Sequence, residues 1–212
     1  MMQLELDPAG DSRDGEVLID FPRQIETVDA VRSTLITSSL ASLRHRGLFE
    51  RYASLQKSPH RNTILSCVAG EWLDLDVGFA HYRACDALGL TSEEQVDIGK
   101  DVSKRIQETF MRMIVSTARG AGVTPWVLLR RSNNLHTRVN RGGGLRLTRL
   151  KAGTARVELA HNPLLELAYF RNAMLGVYVA GIGLLASNVN GRVLLAESQR
   201  PGQLTVMRVD WS

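Results

Sequence analysis

Apolar positions along the chain repeat first with the period of a helix and then with the period of a strand. Between Val28 and Arg46, Val31, Leu35, Leu40 and Leu43 recur on one helical face, and Gly47 supplies a stop. The stretch "LFERYASLQ" continues as a helical piece up to Ser58-Pro59, and "HRNTILSCVAGEW" and "LDLDVGFAHYRACDALGL" read as two more. Thr91-Ser92-Glu93-Glu94 is a capping box, in which the Thr91 hydroxyl accepts a backbone N–H while the Glu94 carboxylate reaches back. Beyond it Ile98, Val102, Ile106, Phe110 and Met113 keep helical spacing for about five turns. Thr124-Pro125 starts the next helix, with Thr as the cap and Pro in the first turn, where its missing N–H is not needed.

Past Arg141-Gly142-Gly143-Gly144 the period changes. Ala155, Val157, Leu159 and His161 alternate with Arg156, Glu158 and Ala160, and "LRLTRLK" before them makes the partner strand of a hairpin turning at Ala152-Gly153-Thr154. Asn162-Pro163 opens a helix to about Ser187, and "RVLLAES" and "LTVMRVDW" follow as strands. "EVLIDFP", ended by Pro22, is a further short strand near the start. The predicted class is α+β: a polar extension over 1–23, then one domain over 24–212, with helices across 24–140 packed on a four-stranded, mainly antiparallel sheet in the order ββαββ across 145–212.

One segment of the last helix resembles a nucleotide motif. In "VYVAGIGLLA" Gly181, Gly183 and Ala186 follow the order G-x-G-x-x-A, with Glu197 downstream where a ribose-binding carboxylate would sit. A dinucleotide fold needs a full βαβ unit and further parallel strands, and the helix left after this turn would be too short. Read as one helix, Ala173, Gly176, Ala180, Gly183 and Ser187 form a narrow face of small residues suited to close packing. Gly183 is expected in the middle of that face and Gly191 in a turn.

Charge adds a second feature. The net charge of the 212 residues is +4, yet no acid lies between Glu108 and Glu158, where Arg112, Arg119, Arg130, Arg131, Arg138, Arg141, Arg146, Arg149, Lys151 and Arg156 all fall. The rest of the chain is therefore net acidic, and the segment implies an anionic ligand, nucleic acid, an acidic partner or an acidic face of the same protein. The longest run without charge, within 172–191, holds about 16 apolar or small residues and spans roughly 24 Å, short of the ~30 Å of a bilayer core. The first 15 residues lack the pattern of a signal peptide, so a cytoplasmic protein is expected. Cys67 and Cys85 form no C-x-x-C pair and no disulfide framework.

Candidate chemistry is sparse. Asp74, Gly78, His81 and Cys85 share one helix face, and His81 and Cys85, one turn apart, are donors for zinc or haem iron, although a structural metal needs about four ligands. Trp126 and Arg130 mark the helix after Thr124 as the edge of a ligand surface. Arg131, Arg138, Arg141, Gly142, Gly143 and Arg146 are the candidate contacts for an anion or nucleic acid, the glycines through backbone N–H groups. Ser54-x-x-Lys57 lacks the S-D-N and K-T-G companions of penicillin-recognising enzymes, and no G-x-S-x-G, H-E-x-x-H or P-loop occurs.

"RGLFERYASL", "AHYRACDALGL", "GVTPWVLL", "NPLLELAYFRNAMLGVYVAGIGLL" and "QLTVMRVDW" resemble an uncharacterised family known mainly from myxobacteria. That family is in turn similar to haem-nitric-oxide-binding and 4-vinyl-reductase-like ligand-binding domains. The resemblance implies helices packed over a four-stranded antiparallel sheet, enclosing a cavity for haem, a hydrophobic small molecule or a lipid chain. Haem-binding members pair an axial His with a Tyr-x-Ser-x-Arg motif; here Tyr52-x-Ser54 leads to Gln56, and it lies early in the chain. The expectation is a non-enzymatic sensory or regulatory module, without haem or metal, that binds a small apolar or anionic ligand or a partner protein. Nucleic-acid association through 112–156 and an enzyme acting in the cavity are the alternatives, and self-association is left open.

Overall fold

The computed structural model describes residues 15–118, 124–199 and 202–212, with side chains described to residue 105 in the first of these. Strand β1 (Glu16–Ile19) is followed by β2 (Ala30–Arg32), α1 (Ser33–His45), α2 (Phe49–Leu55), α3 (Arg61–Ser66), β3 (Trp72–Asp74), α4 (Leu75–Asp86) and α5 (Ser92–Ala118). Then come α6 (Pro125–Leu129), α7 (Ser132–Val139), β4 (Asn140–Arg141), β5 (Gly144–Lys151), β6 (Thr154–Ala160), a 3-10 turn (Pro163–Glu166), α8 (Ala168–Ile182), β7 (Asn190–Val193) and β8 (Leu204–Asp210). The class is α+β, as the period change at the triple glycine implies.

The main sheet has five strands in the order β1-β5-β6-β8-β7, antiparallel throughout. Four strands were expected; the fifth is β1, which pairs Val17 with Thr148 and so joins the sheet as an edge. Leu145, Leu147, Val157, Leu159, Met207 and Val209 point from the sheet into a core shared with α1, α4, α5 and α8. A second sheet, β3-β2-β4, lies within the stretch expected to be wholly helical. Its strands have two or three residues, too few to show an alternation, and they are held by long-range pairs such as Val31 with Leu73 and Asn140.

A local signal places the start of α5. Thr91 N–H donates to Glu94 Oε2 at 2.8 Å and Glu94 N–H to Thr91 Oγ1 at 3.2 Å, the reciprocal capping box that opens α5. Asn162 Oδ1 accepts from Leu164 N–H at 3.1 Å, which starts the 3-10 turn rather than α8 itself. α8 begins at Ala168 and ends at Ile182, one turn before the expected end. Residues 177–182 are helix interior, and Gly181 and Gly183 lie at the helix C-terminus, where no N–H groups face a phosphate; the dinucleotide motif is excluded.

The small-residue face does work as a packing face, but at a different glycine. α5 and α8 meet at Gly99 and Gly176. A Cβ built on Gly176 would overlap Val96 O and lie 3.0 Å from Gly99 Cα, and one on Gly99 would overlap Ala173 O and lie 2.8 Å from Ala173 Cα. The two backbones are therefore in direct contact. Gly183 is exposed beyond the helix end, with nothing closer to such a Cβ than Val179 O at 3.2 Å, which corrects its expected central place. Gly191 lies in β7, not in a turn, and a Cβ there would press on Leu175 Cδ1 at 2.7 Å and Val179 Cγ2 at 3.0 Å.

Gly176→Ala should lower the melting temperature by several degrees, since overpacking costs about 1–3 kcal/mol and each kcal/mol is worth about 2–4 °C at this size. Gly183→Ala should shift it by no more than a degree or two. Equal melting temperatures for the two variants would refute the backbone contact.

Candidate functional site

His81 and Cys85 share the buried face of α4, with Gly78 one turn before, while Asp74 is exposed at the end of β3. His81 is fully buried and its ring is bonded on both sides: Nδ1 lies 2.8 Å from the Tyr52 hydroxyl, and Nε2 lies 3.0 Å from Ser39 Oγ and 3.7 Å from Cys85 Sγ. Gln56 Nε2 donates to the Tyr52 hydroxyl at 3.2 Å and to Ala80 O at 3.0 Å, and Ser39 Oγ is 3.4 Å from the Tyr169 hydroxyl. Tyr82 packs edge-on against both His81 and Phe170. Burial pushes His81 down to about 3 and the Cys85 thiol well above its ordinary range. The ring is therefore a neutral imidazole and the sulfur a thiol. Among the described residues no three His, Cys, Asp or Glu side chains converge as a metal site.

The arginine-rich segment meets an acidic face of its own chain. Glu16 and Asp20, in and just after β1, pair with Arg149 at 3.1 Å and Arg146 at 2.7 Å, and Arg130 lies 3.8 Å from Glu16. Arg141 pairs with Asp29 at 2.6 Å, and the nearly buried Arg156 is held between Glu158 and Glu197. Arg131 and Arg138 are exposed at the start and on the body of α7. The Arg112 side chain and Arg119 lie outside the described residues. Among the described residues, acids from the N-terminal part of the chain interleave with these arginines.

The remaining candidates serve the fold. Gly142 and Gly143 have φ of +90° and +74° and press against Thr27 and Val28; the Gly143 N–H donates to Glu26 O at 2.7 Å, so it is not offered to an anion. Trp126 Nε1–H donates to Ala152 O at 2.8 Å, its ring packs tilted against Trp211 with centroids 4.8 Å apart, and the Arg149 guanidinium sits 4.5 Å above it. That side chain pins α6 to the β5–β6 hairpin.

A large concavity lies where the sequence carries no motif. A groove of about 780 Å³ runs between α5, α8 and β7. Val96, Leu175, Val179, Val189, Val193 and Leu195 line it, with Lys100, Arg171 and Arg192 among its polar residues. Leu195 is 67% exposed, and β7 is the open edge of the sheet. The two cavities inside the helical core hold about 20 Å³ each.

No protein-family model matches the sequence, and no curated protein matches it. Solved structures do match the fold. An H-NOX protein from K. algicida in the Fe(II) unliganded state aligns with TM-score 0.63 at 9% identity, over 85% of this chain and 96% of that one, and a point mutant of the same protein gives 0.64 at 8% over the same shares. A structure from a study of haem distortion in the H-NOX family gives 0.58 at 12% identity, over 85% and 94%.

Among the described residues the interior shows no cavity of haem size. Ligand pockets of small molecules occupy about 300–1,000 Å³, against 20 Å³ in each core cavity. At Gly99 and Gly176 the α5 and α8 backbones touch, and the cavity beside that crossing holds about 20 Å³. His81 has both ring nitrogens engaged, and within Tyr52-x-Ser54-x-Gln56 the tyrosine and glutamine bond inward to the His81 cluster while Ser54 Oγ donates to its own helix at Arg51 O. The chain thus has the fold of the H-NOX domains around a closed core.

Two outcomes follow. The purified protein, mixed with hemin, should show no one-to-one Soret band; a stoichiometric band lost in His81→Ala would refute the closed core. His81 and His136 are both held below the ordinary histidine value of 6.5, chiefly by burial. The unfolded chain therefore binds more protons below that pH, and stability, complete above about 6.5, falls as the pH drops. The urea midpoint should decrease from pH 7 to pH 5, with a shallower slope in His81→Gln. A flat profile would show that these rings are not buried neutral.

Proposed function

We propose that this chain is a regulatory ligand-binding module that works without resident haem and takes a small apolar ligand in the α5–α8–β7 groove. The observation that carries this is the groove itself, in which six aliphatic side chains lie together with a polar rim that includes Glu93, Asp97, Lys100 and Arg171. Apolar walls with a few placed polar groups are the usual make-up of a ligand site. Lys100 is paired with Asp97, and Arg171 is bonded to the carbonyls of Leu165 and Glu166, so these cations are engaged within the chain and the aliphatic walls are what a ligand meets. The H-NOX-like fold supports a sensory role, in which ligand binding at the sheet edge and the two central helices would be passed to a partner protein.

The test uses decanoate as the probe, with binding followed by methyl NMR and calorimetry. Saturable binding should shift the methyls of Val96, Leu175, Val179 and Val193, and Leu195→Glu should weaken it about tenfold or more without lowering stability by more than about 0.5 kcal/mol. Absence of binding, or binding unchanged in Leu195→Glu, would overturn the proposal.

A further inference from the structure

The main sheet has a second face, turned away from the helices. Strand residues alternate between faces, so Arg146, Thr148, Arg156 and Glu158 lie opposite to the core-facing Leu145, Leu147, Val157 and Leu159, and the register sets Thr148 beside Arg156 and Arg146 beside Glu158. Such a face is ordinarily solvated, yet Thr148, Arg156 and Glu158 are only 4%, 7% and 8% exposed. They line a cavity of about 410 Å³ together with Glu197 and the apolar Val17, Phe21 and Leu204. We propose that this cavity binds a primary amine with a short apolar body, its ammonium held by Glu158, Glu197 and Thr148.

The walls carry one negative charge in excess. Arg156 stands between two carboxylates, Glu158 and Glu197, while the Arg146 guanidinium is matched by Asp20 at 2.7 Å. Arg156 bonds one oxygen of each carboxylate, Oε1 of Glu158 and Oε2 of Glu197, and the other oxygen of each accepts no hydrogen bond among the described residues. The Thr148 hydroxyl, deeply buried and lining the same cavity, also has no hydrogen-bond partner among the described residues. Polar groups buried to this extent are normally bonded, so these three acceptors point to a ligand that donates. An ammonium offers three N–H donors and no acceptor, which matches two carboxylate oxygens and a hydroxyl; an alcohol offers one donor, and a carboxylate would meet the excess negative charge. The Phe21 ring, held 4.7 Å from the Arg146 guanidinium, and the half-exposed Val17 supply a surface for the carbon skeleton. The volume falls within the range of about 300–1,000 Å³ usual for small ligands. No residue lines both this cavity and the α5–α8–β7 groove, so the two sites stand or fall separately.

The experiment titrates phenethylamine into the full chain at neutral pH, followed by calorimetry and amide NMR, with phenethyl alcohol and phenylacetate as the matched neutral and anionic probes. Wild type should take up one equivalent of the amine, with shifts at the Thr148, Glu158 and Glu197 amides, and should bind the alcohol and the acid about tenfold or more weakly. Thr148→Val and Glu197→Gln should each weaken amine binding about fivefold or more while their thermal transitions stay cooperative. No saturable uptake of the amine, equal binding of amine and alcohol, shifts confined to the α5–α8–β7 groove, or affinity unchanged in either variant would each overturn the assignment. Should a variant not fold, the wild-type comparison of the three probes decides.

Discussion

The contact on which the rest of this structure depends is that between Gly99 of α5 and Gly176 of α8. Two helices whose backbones touch leave little space between them, and beside this crossing the cavity holds only about 20 Å³. A side chain as small as a methyl at either position would strike a carbonyl of the other helix. Glycine weakens a helix by about 1 kcal/mol relative to alanine, so the arrangement holds because dispersion and burial along the seam offset that loss. The same contact sets what the fold can do. With the interior closed, the space that a ligand would need appears on the outside, where α5 and α8 diverge toward β7.

The second organising feature is polar. Tyr52, Gln56, Ser39, His81, Cys85 and Tyr169 come from α1, α2, α4 and α8, and nearly every hydrogen-bonding group among them has a partner. A buried polar network is stabilising only when it is satisfied, and it then specifies one packing of the helices around it. Removing a member would leave the others desolvated and unpaired. This cluster positions α4 against α1 and α2, as the glycine contact positions α5 against α8.

Much of the fold was legible in the sequence because the signals were local. The Thr91–Glu94 box, Thr124-Pro125, the β5–β6 alternation and the strand–strand–helix–strand–strand order are fixed by residues close together in the chain. What escaped was set by partners far away. β2 and β3 are strands only because each finds the other, and no three-residue stretch carries a periodicity. β1 read as part of an extension because its pairing partner lies over a hundred residues later. The small-residue face of α8 was visible, but the decisive glycine could not be chosen without knowing where α5 crosses it and that the helix ends at Ile182.

The site was less legible than the fold, for a related reason. Arg130, Arg141, Arg146 and Arg149 form a block in sequence, and folding sets Glu16, Asp20 and Asp29 among them. The groove residues come from three separated segments and carry no motif; the exposed Leu195 in "RVLLAES" was the one available signal. The closed core is the claim on which all of this rests, and a nuclear Overhauser measurement between the α-protons of Gly99 and Gly176 tests it most directly. A strong cross-peak is expected, since a Cβ on Gly176 would lie 3.0 Å from Gly99 Cα. No cross-peak in a fully assigned spectrum would mean that the helices stand apart, and that the interior is open after all.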